Sequence, residues 1–142
     1  MRPDRFESFA LDLVKNAPQV VQATTLREAG DTAHPYGLAI DMGGSEEVRI
    51  QFTAQSAPGD RYDQPEQRVE GEPVPPLGDP VLPPGEPSPE AVEEWFAAVL
   101  AGAGSREIAK VERWSLAEGA RRGHVGVTVY CHSGARIYAR LF

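Results

Sequence analysis

The sequence contains very little cysteine, lysine and asparagine, and it has no long apolar run. Its 142 residues include one cysteine, Cys131, so an internal disulfide is excluded and nothing points to an oxidising compartment. No apolar stretch approaches the roughly 18 residues of a membrane-spanning helix, and the first residues do not resemble a secretory signal. These absences predict a cytoplasmic protein that does not enter a membrane. Twelve arginines against two lysines and one asparagine indicate a GC-rich coding sequence and predict a bacterial source.

Recognisable motifs for catalysis or cofactor binding are also missing from the sequence. It contains no Ser-His-Asp spacing, phosphate-binding glycine loop, CxxC pair or HExxH. Cys131 and His132 are adjacent, so they point to opposite faces of a strand and cannot chelate one ion. His124 shares a strand face with His132 but lies about 27 Å from it along the strand. We therefore predict no metal site, no cofactor and no catalytic residue.

The charge is distributed unevenly along the chain. The net charge is −7, which argues against a general nucleic-acid binder. Residues 1–103 carry 18 acidic and 7 basic residues, whereas residues 104–142 carry 3 acidic and 7 basic residues. Ten of the acidic residues lie between Asp60 and Glu94. This stretch is either a solvated loop and helix face or an acidic flap that masks a basic sheet.

Two helices are predicted from apolar residues that recur every three to four positions. In the first helix these positions are Phe6, Phe9, Ala10, Leu13, Val14 and Ala17, and in the second they are Val92, Trp95, Phe96, Val99 and Leu100. Ser88 is the expected N-cap of the second helix, and Pro89 occupies its first position. Glu90, Glu93 and Glu94 lie on the polar side of that helix, so a solvated face is predicted there.

Three predicted strands follow each helix. The β-branched and alternating patterns predict strands at residues 19–28, 37–42 and 48–54 in the first half and at 108–116, 125–132 and 135–142 in the second. For residues 109–114, continuation as a helix is the alternative. The last two strands of the first half align with the last two strands of the second half at a constant offset of 89 residues. The two helices align at an offset of about 86 residues. Agreement in element order, loop length and apolar phase predicts an internal duplication.

These elements predict one α+β domain with a duplicated αβββ unit (αβββ–αβββ), whose antiparallel hairpins pack against two helices. The first repeat is residues 1–55, the second is residues 88–142, and residues 56–87 connect them. The connection holds nine prolines and four glycines, so it cannot form a helix or a sheet ladder. It is therefore predicted to lie extended on the surface.

A three-residue loop at 132–134 is predicted for the last hairpin. This loop keeps every apolar residue, including Cys131, on one face, and it places Gly134 at the left-handed position that such loops favour. Cys131 is accordingly predicted to be a buried, inert thiol.

The opposite face of this hairpin is the most distinctive surface in the sequence. The register puts Tyr130 opposite Arg136, Thr128 opposite Tyr138 and Gly126 opposite Arg140. His124 and Phe142 close the row. Tyrosine and arginine on a sheet face suit stacking, cation–π contacts and binding of an anion or an acidic partner. The alternative is that they form ordinary cross-strand pairs.

We predict a non-catalytic interaction module that binds another protein, with a two-unit plan analogous to chaperone-like or inhibitor-like adaptors. The predicted contact residues are Arg136, Tyr138, Arg140, Tyr130 and His124. The first alternative is binding of an anion or nucleic acid on the same face. The second is a small enzyme without a recognisable motif. Association into a homodimer is compatible with each of these functions.

Overall fold

The computed structural model describes residues 1–44, 46–83 and 85–142, and Ser45 and Pro84 lie outside this description. The described helices are α1 (Pro3–Lys15) and α2 (Pro89–Ala101). The described strands are β1 (Gln22–Thr25), β2 (Gly37–Asp41), β3 (Val48–Gln55), β4 (Ile108–Arg113), β5 (Gly126–Cys131) and β6 (Arg136–Leu141). A short 3₁₀ turn, Trp114–Leu116, follows β4.

The strands form one antiparallel sheet with the order β1-β2-β3-β6-β5-β4. Strands β3 and β6 pair at the centre, while β1 and β4 lie at the edges. Each set of three consecutive strands therefore occupies one half of the sheet. The described chain is an α+β protein with two helices and a six-stranded antiparallel sheet, as the sequence predicts.

The register of the last hairpin is confirmed. Tyr130 pairs with Arg136, Thr128 with Tyr138 and Gly126 with Arg140. The backbone N–H of Cys131 donates to the carbonyl of Ala135 at 2.9 Å, which closes the three-residue loop. Gly134 in that loop has a φ of +93°, a conformation that side chains other than glycine rarely adopt.

Both helices pack on the same face of the sheet. The second helix begins as predicted, because Ser88 Oγ accepts a hydrogen bond from the backbone N–H of Ala91 at 3.1 Å. Aromatic rings join the two helices to the sheet: Phe6 of α1 meets Phe52 edge-on, and Phe52 stacks on Phe96 of α2. The core thus runs continuously beneath both helices.

Two strands, β1 and β4, are shorter than predicted by three residues or more. Strand β1 covers four residues, and a turn follows it directly, in which Ala29 N–H donates to the carbonyl of Thr25 and Asp31 N–H donates to that of Leu26. Strand β4 stops at Arg113, where the 3₁₀ turn begins. That turn carries Trp114 away from the ladder, a change of direction that β-propensity does not reveal.

The prediction of a solvated glutamate face on α2 is wrong for Glu93, whose side chain is fully buried. Its carboxylate accepts hydrogen bonds from Arg113 Nε at 2.9 Å, from Gly126 N–H at 3.0 Å and from Ser115 N–H at 3.1 Å. Ser115 Oγ also donates to it. Buried charge is tolerated because it is paired and fully hydrogen-bonded. Glu93 therefore ties α2 to the end of β4 and the start of β5.

A related cluster ties α1 to the first half of the sheet. Glu7 of α1 is buried and accepts hydrogen bonds from Arg27 Nη2 at 2.6 Å and from the backbone N–H of Gly37 at 2.9 Å. Glu7 and Glu93 therefore have equivalent partners. Each binds an arginine at or just beyond the end of an edge strand, and each accepts from the backbone N–H of the glycine that begins the next strand. The Arg27 side chain is half-exposed, however, whereas Arg113 is mostly buried.

The proline-rich connection, residues 56–87, docks on the body along α1. At the start of the helix, Arg5 forms ion pairs with Glu66 of the connection and with Glu107, and the Arg5 hydrogen bond lowers the pKa of Glu107. Just beyond the end of the helix, the Gln19 side chain donates to the Leu82 carbonyl at 2.9 Å and accepts from its N–H at 2.8 Å. Leu82 itself is buried in the core.

Cys131 is expected to react with a thiol reagent only when the protein unfolds. Its side chain is 7% exposed, and burial raises the pKa of its thiol, so the reactive thiolate is scarce. The measurement is the labelling rate with a chromogenic disulfide in native buffer and in denaturant. Rapid labelling in native buffer would contradict the core position.

Candidate functional site

The candidate site is the face of the sheet that lies opposite the helices. Along β6, Ile137 and Ala139 are buried beneath the helices, so Arg136, Tyr138 and Arg140 point to the other face. Arg136 and Arg140 are exposed, and Tyr138 is half-buried. Antiparallel sheets commonly leave one face in solvent, so exposure alone does not mark a binding site. What distinguishes this face is the chemistry of its side chains.

Tyr130 is the centre of a cationic cluster on this face. The Arg136 guanidinium lies 5.0 Å from the centre of the Tyr130 ring, and Lys110 Nζ lies 5.3 Å from it. The Tyr130 hydroxyl donates to Glu112 at 3.3 Å. The hydrogen bond from Lys110 lowers the pKa of Glu112, which keeps this carboxylate ionised. The cluster thus consists of two cations next to one aromatic ring, and the Glu112 carboxylate binds both the ring hydroxyl and Lys110.

Tyr138 lies beside this cluster, in the middle of the sheet. It pairs with Thr128 of β5 on one side and with Thr53 of β3 on the other. Its hydroxyl donates to Gln55 Oε1 at 3.1 Å, which orients the ring. Tyr138 therefore lies between Arg136 and Arg140 along β6, with threonines on both neighbouring strands.

Trp114 belongs to this surface and was missed by the sequence analysis. Its indole lies against Gly126, where a Cβ atom would come within 2.7 Å of the ring. The indole N–H donates to Thr128 Oγ1 at 2.8 Å. The predicted site residue His124 stacks on Trp114 with ring centres 4.5 Å apart and planes 11° apart. Gly126 within a strand was the available signal, because such a glycine often marks close approach of another group.

We call these six residues the open face: Trp114, His124, Tyr130, Arg136, Tyr138 and Arg140. All five of the site residues predicted from the sequence lie in this set. Phe142, predicted to close the row, follows β6 at the end of the sheet, where its ring contacts His34 and its N–H donates to the carbonyl of Arg49 at 3.1 Å.

The arginines of the open face differ from most others in the protein. Ion pairs with carboxylates engage Arg2, Arg5, Arg27, Arg49, Arg61, Arg106 and Arg113. Among the residues that the structure describes, Arg136 and Arg140 make no such ion pair. The described part of the acidic connection does not mask them, because both side chains are exposed. The connection contacts Arg5 of α1 and also Arg106 and His132 in the second half. The masking hypothesis is therefore wrong.

Groups able to perform chemistry are dispersed over the molecule. In residues 1–44, 46–83 and 85–142, no three histidine, cysteine, aspartate or glutamate side chains come together as a metal site would require. His132 is hydrogen-bonded to the carbonyl of Glu72 at 2.9 Å, and Cys131 lies in the core. The open face consists of rings, guanidinium groups and hydroxyls, and tyrosine, tryptophan and arginine are enriched at protein interfaces.

Comparison with known proteins adds no relative to this description. No protein-family model, curated protein or solved structure matches the chain. None of the helices in the described ranges has the length and apolar character needed to cross a bilayer.

Proposed function

We propose that the protein is a non-catalytic cytoplasmic module that binds another protein through the open face. The observation that carries this proposal is a pair of exposed arginines, beside Tyr130 and Tyr138, that form no ion pair within the described part of the chain. Tyrosine, tryptophan and arginine are the residues that most often dominate the energy of protein interfaces. Their rings are already oriented by hydrogen bonds, so binding would cost little side-chain entropy.

The spacing of the two arginines defines the partner. Arg136 and Arg140 are four residues apart on one strand, which separates their Cα atoms by about 13 Å. Tyr138 lies between the two arginines on the same face of β6, so the row suits a partner with two acidic groups that flank an apolar or aromatic contact. A partner strand or helix with acidic residues on one side fits this requirement.

A protein partner is favoured over nucleic acid by the charge of the whole molecule. The net charge of −7 repels a polyanion at long range, and Glu112 lies within the face itself. We expect no retention of the intact protein on heparin or DNA. Nucleic-acid binding would instead be established by affinity that falls steeply with salt. The slope of log affinity against log salt concentration should then decrease by about one unit in Arg136→Ala and by about one unit in Arg140→Ala.

We further propose that the two halves arose by internal duplication. The support is the matching pair of clusters: Glu7 and Glu93 are 86 residues apart, as are Arg27 and Arg113, while the paired glycines are 89 apart. Both glycines also lie where an added Cβ would come within 2.3 Å of a carbonyl on the next strand.

Under this duplication, the open face would be a specialisation of the second half. At an offset of 89 residues, Arg136, Tyr138 and Arg140 correspond to Glu47, Arg49 and Gln51. The equivalent of Tyr130 is Asp41. The first half therefore lacks the row of tyrosines and arginines, although its helix is joined to the sheet by a similar glutamate cluster. The glutamate cluster present in both halves would preserve the fold, while the outer face of the second half became a binding surface.

Charge reversal on the open face is the experiment that tests the proposed function. The tagged protein would be used to capture partners from the native host, and the captured proteins would be quantified. We expect Arg136→Glu with Arg140→Glu to abolish capture of a specific partner, because an acidic partner would then meet like charges. The matched control is Arg61→Glu with Arg68→Glu, which reverses two exposed charges on the connection. Equal loss in both variants would contradict the proposed surface.

A further inference from the structure

A second surface lies at one end of the sheet and shares none of the open-face residues. It is a cleft of about 320 Å³ between the loop that joins β2 and β3, the start of α2 and the end of β6. This volume lies at the lower end of the range for ligand pockets, about 300–1,000 Å³. Three segments that are distant in sequence form its walls, so the cleft exists only in the folded protein.

The floor of the cleft is apolar. It is lined by Met42, Val48, Val92, Val125, Leu141 and Phe142. Val92 and Val125 are buried members of the core, so this part of the floor is rigid. Phe142 is 46% exposed and is therefore available to a ligand side chain. An apolar floor open to solvent gains free energy when an apolar side chain covers it.

The rim of the cleft is acidic. Among the described residues that line it, four are glutamates and one is an arginine: Glu46, Glu47, Glu86, Glu90 and Arg49. Arg49 already contacts Glu47 at 3.0 Å and Asp31 at 3.8 Å, so its charge is shared between two carboxylates. The Glu86 carboxylate lies over Gly44, which brings the connection and the hairpin loop together at the rim. The mouth of the cleft thus carries a net negative charge above an apolar floor.

We propose that this cleft binds a basic, amphipathic segment of a partner protein. An apolar side chain of the segment would cover Phe142 and Leu141, while flanking lysine or arginine side chains would meet Glu46 and Glu90. Charge complementarity selects this occupant, because an acidic segment or a nucleic acid would be repelled by the rim. The site rests on residues outside the open face, so failure of the proposed function would leave it intact.

A dye-labelled peptide, Lys-Leu-Gly-Lys-Leu-Gly-Lys, is the probe for this site. Its binding to the full chain would be measured by fluorescence anisotropy at low salt. We expect saturable binding that is lost when the lysines are replaced by glutamate, and also when the leucines are replaced by serine. Glu46→Gln with Glu90→Gln should weaken binding by about threefold to tenfold. Phe142→Ala should weaken it by about tenfold.

Matched variants distinguish the cleft from general attraction to an acidic protein. Asp12→Asn with Glu118→Gln removes two exposed charges elsewhere, and Leu77→Ala removes an exposed apolar side chain from the connection. Both should bind the peptide as the unaltered protein does. Equal weakening in the control variants, equal binding of the serine peptide, or absence of saturable binding would overturn the proposal. So would a dimer of this chain that Phe142→Ala dissociates, because the occupant would then be a second copy.

Discussion

Replacement of Glu93 by alanine is expected to lower the free energy of unfolding by about 3–5 kcal/mol. The carboxylate is fully buried and accepts four hydrogen bonds, one of them from the largely buried Arg113. The substitution would leave that guanidinium and the backbone N–H groups of Ser115 and Gly126 without their acceptor. Removing one partner of a buried pair costs more than the pair itself contributes, because the remaining charge is desolvated without compensation.

The matched control for this substitution is Glu94→Ala, one position along the same helix. The Glu94 side chain is 72% exposed, so its loss should change the free energy of unfolding by no more than about 0.5 kcal/mol. Urea denaturation of both variants, followed by circular dichroism, provides the comparison. A Glu93→Ala protein as stable as Glu94→Ala would contradict the assignment of Glu93 as the tie between α2 and the sheet.

Phe96→Ala is expected to cost about 3–5 kcal/mol. The ring is fully buried on α2, stacks on Phe52 of β3 and contacts Trp95. It therefore links the second helix to a strand of the first half, and its removal would leave a cavity where the two halves meet. Because three rings form this contact, the surrounding structure cannot collapse easily into the space.

Phe142→Ala provides the comparison for Phe96→Ala, since it removes the same side chain from an exposed position. We expect a change within about 0.5 kcal/mol. The free energy of unfolding of both variants would be measured by thermal and urea denaturation. If Phe96→Ala were equally harmless, the Phe96 ring would not stabilise the part of the core where the two halves meet.

The hairpin register could be predicted from the sequence because local rules determine it. Side chains alternate between two faces along a strand, so a wrong loop length would have placed valines and arginines on one side. Gly134 further restricted the loop to three residues. The start of α2 was equally local, since Ser88 and Pro89 are a cap and a first-turn residue. These signals lie within a few residues of the feature that they determine.

The burial of Glu93 could not be predicted in this way. On a helical projection it lies beside exposed glutamates, and its partners Arg113 and Gly126 are 20 and 33 residues further along the chain. A carboxylate is stable in the core only when such distant donors converge on it, which local patterns do not encode. Trp114 escaped detection for a related reason, because a 3₁₀ turn folds it back over β5.

Protection of arginines from phenylglyoxal in the partner complex tests the central claim most directly. The complex captured from the native host would be treated with this arginine-specific reagent, and modification at each arginine would be compared with that of the free protein by mass spectrometry. We expect Arg136 and Arg140 to be modified several-fold more slowly in the complex, while Arg61 and Arg68 react at their free rates. Unchanged modification of Arg136 and Arg140 in a complex that persists throughout the reaction would contradict binding through the open face.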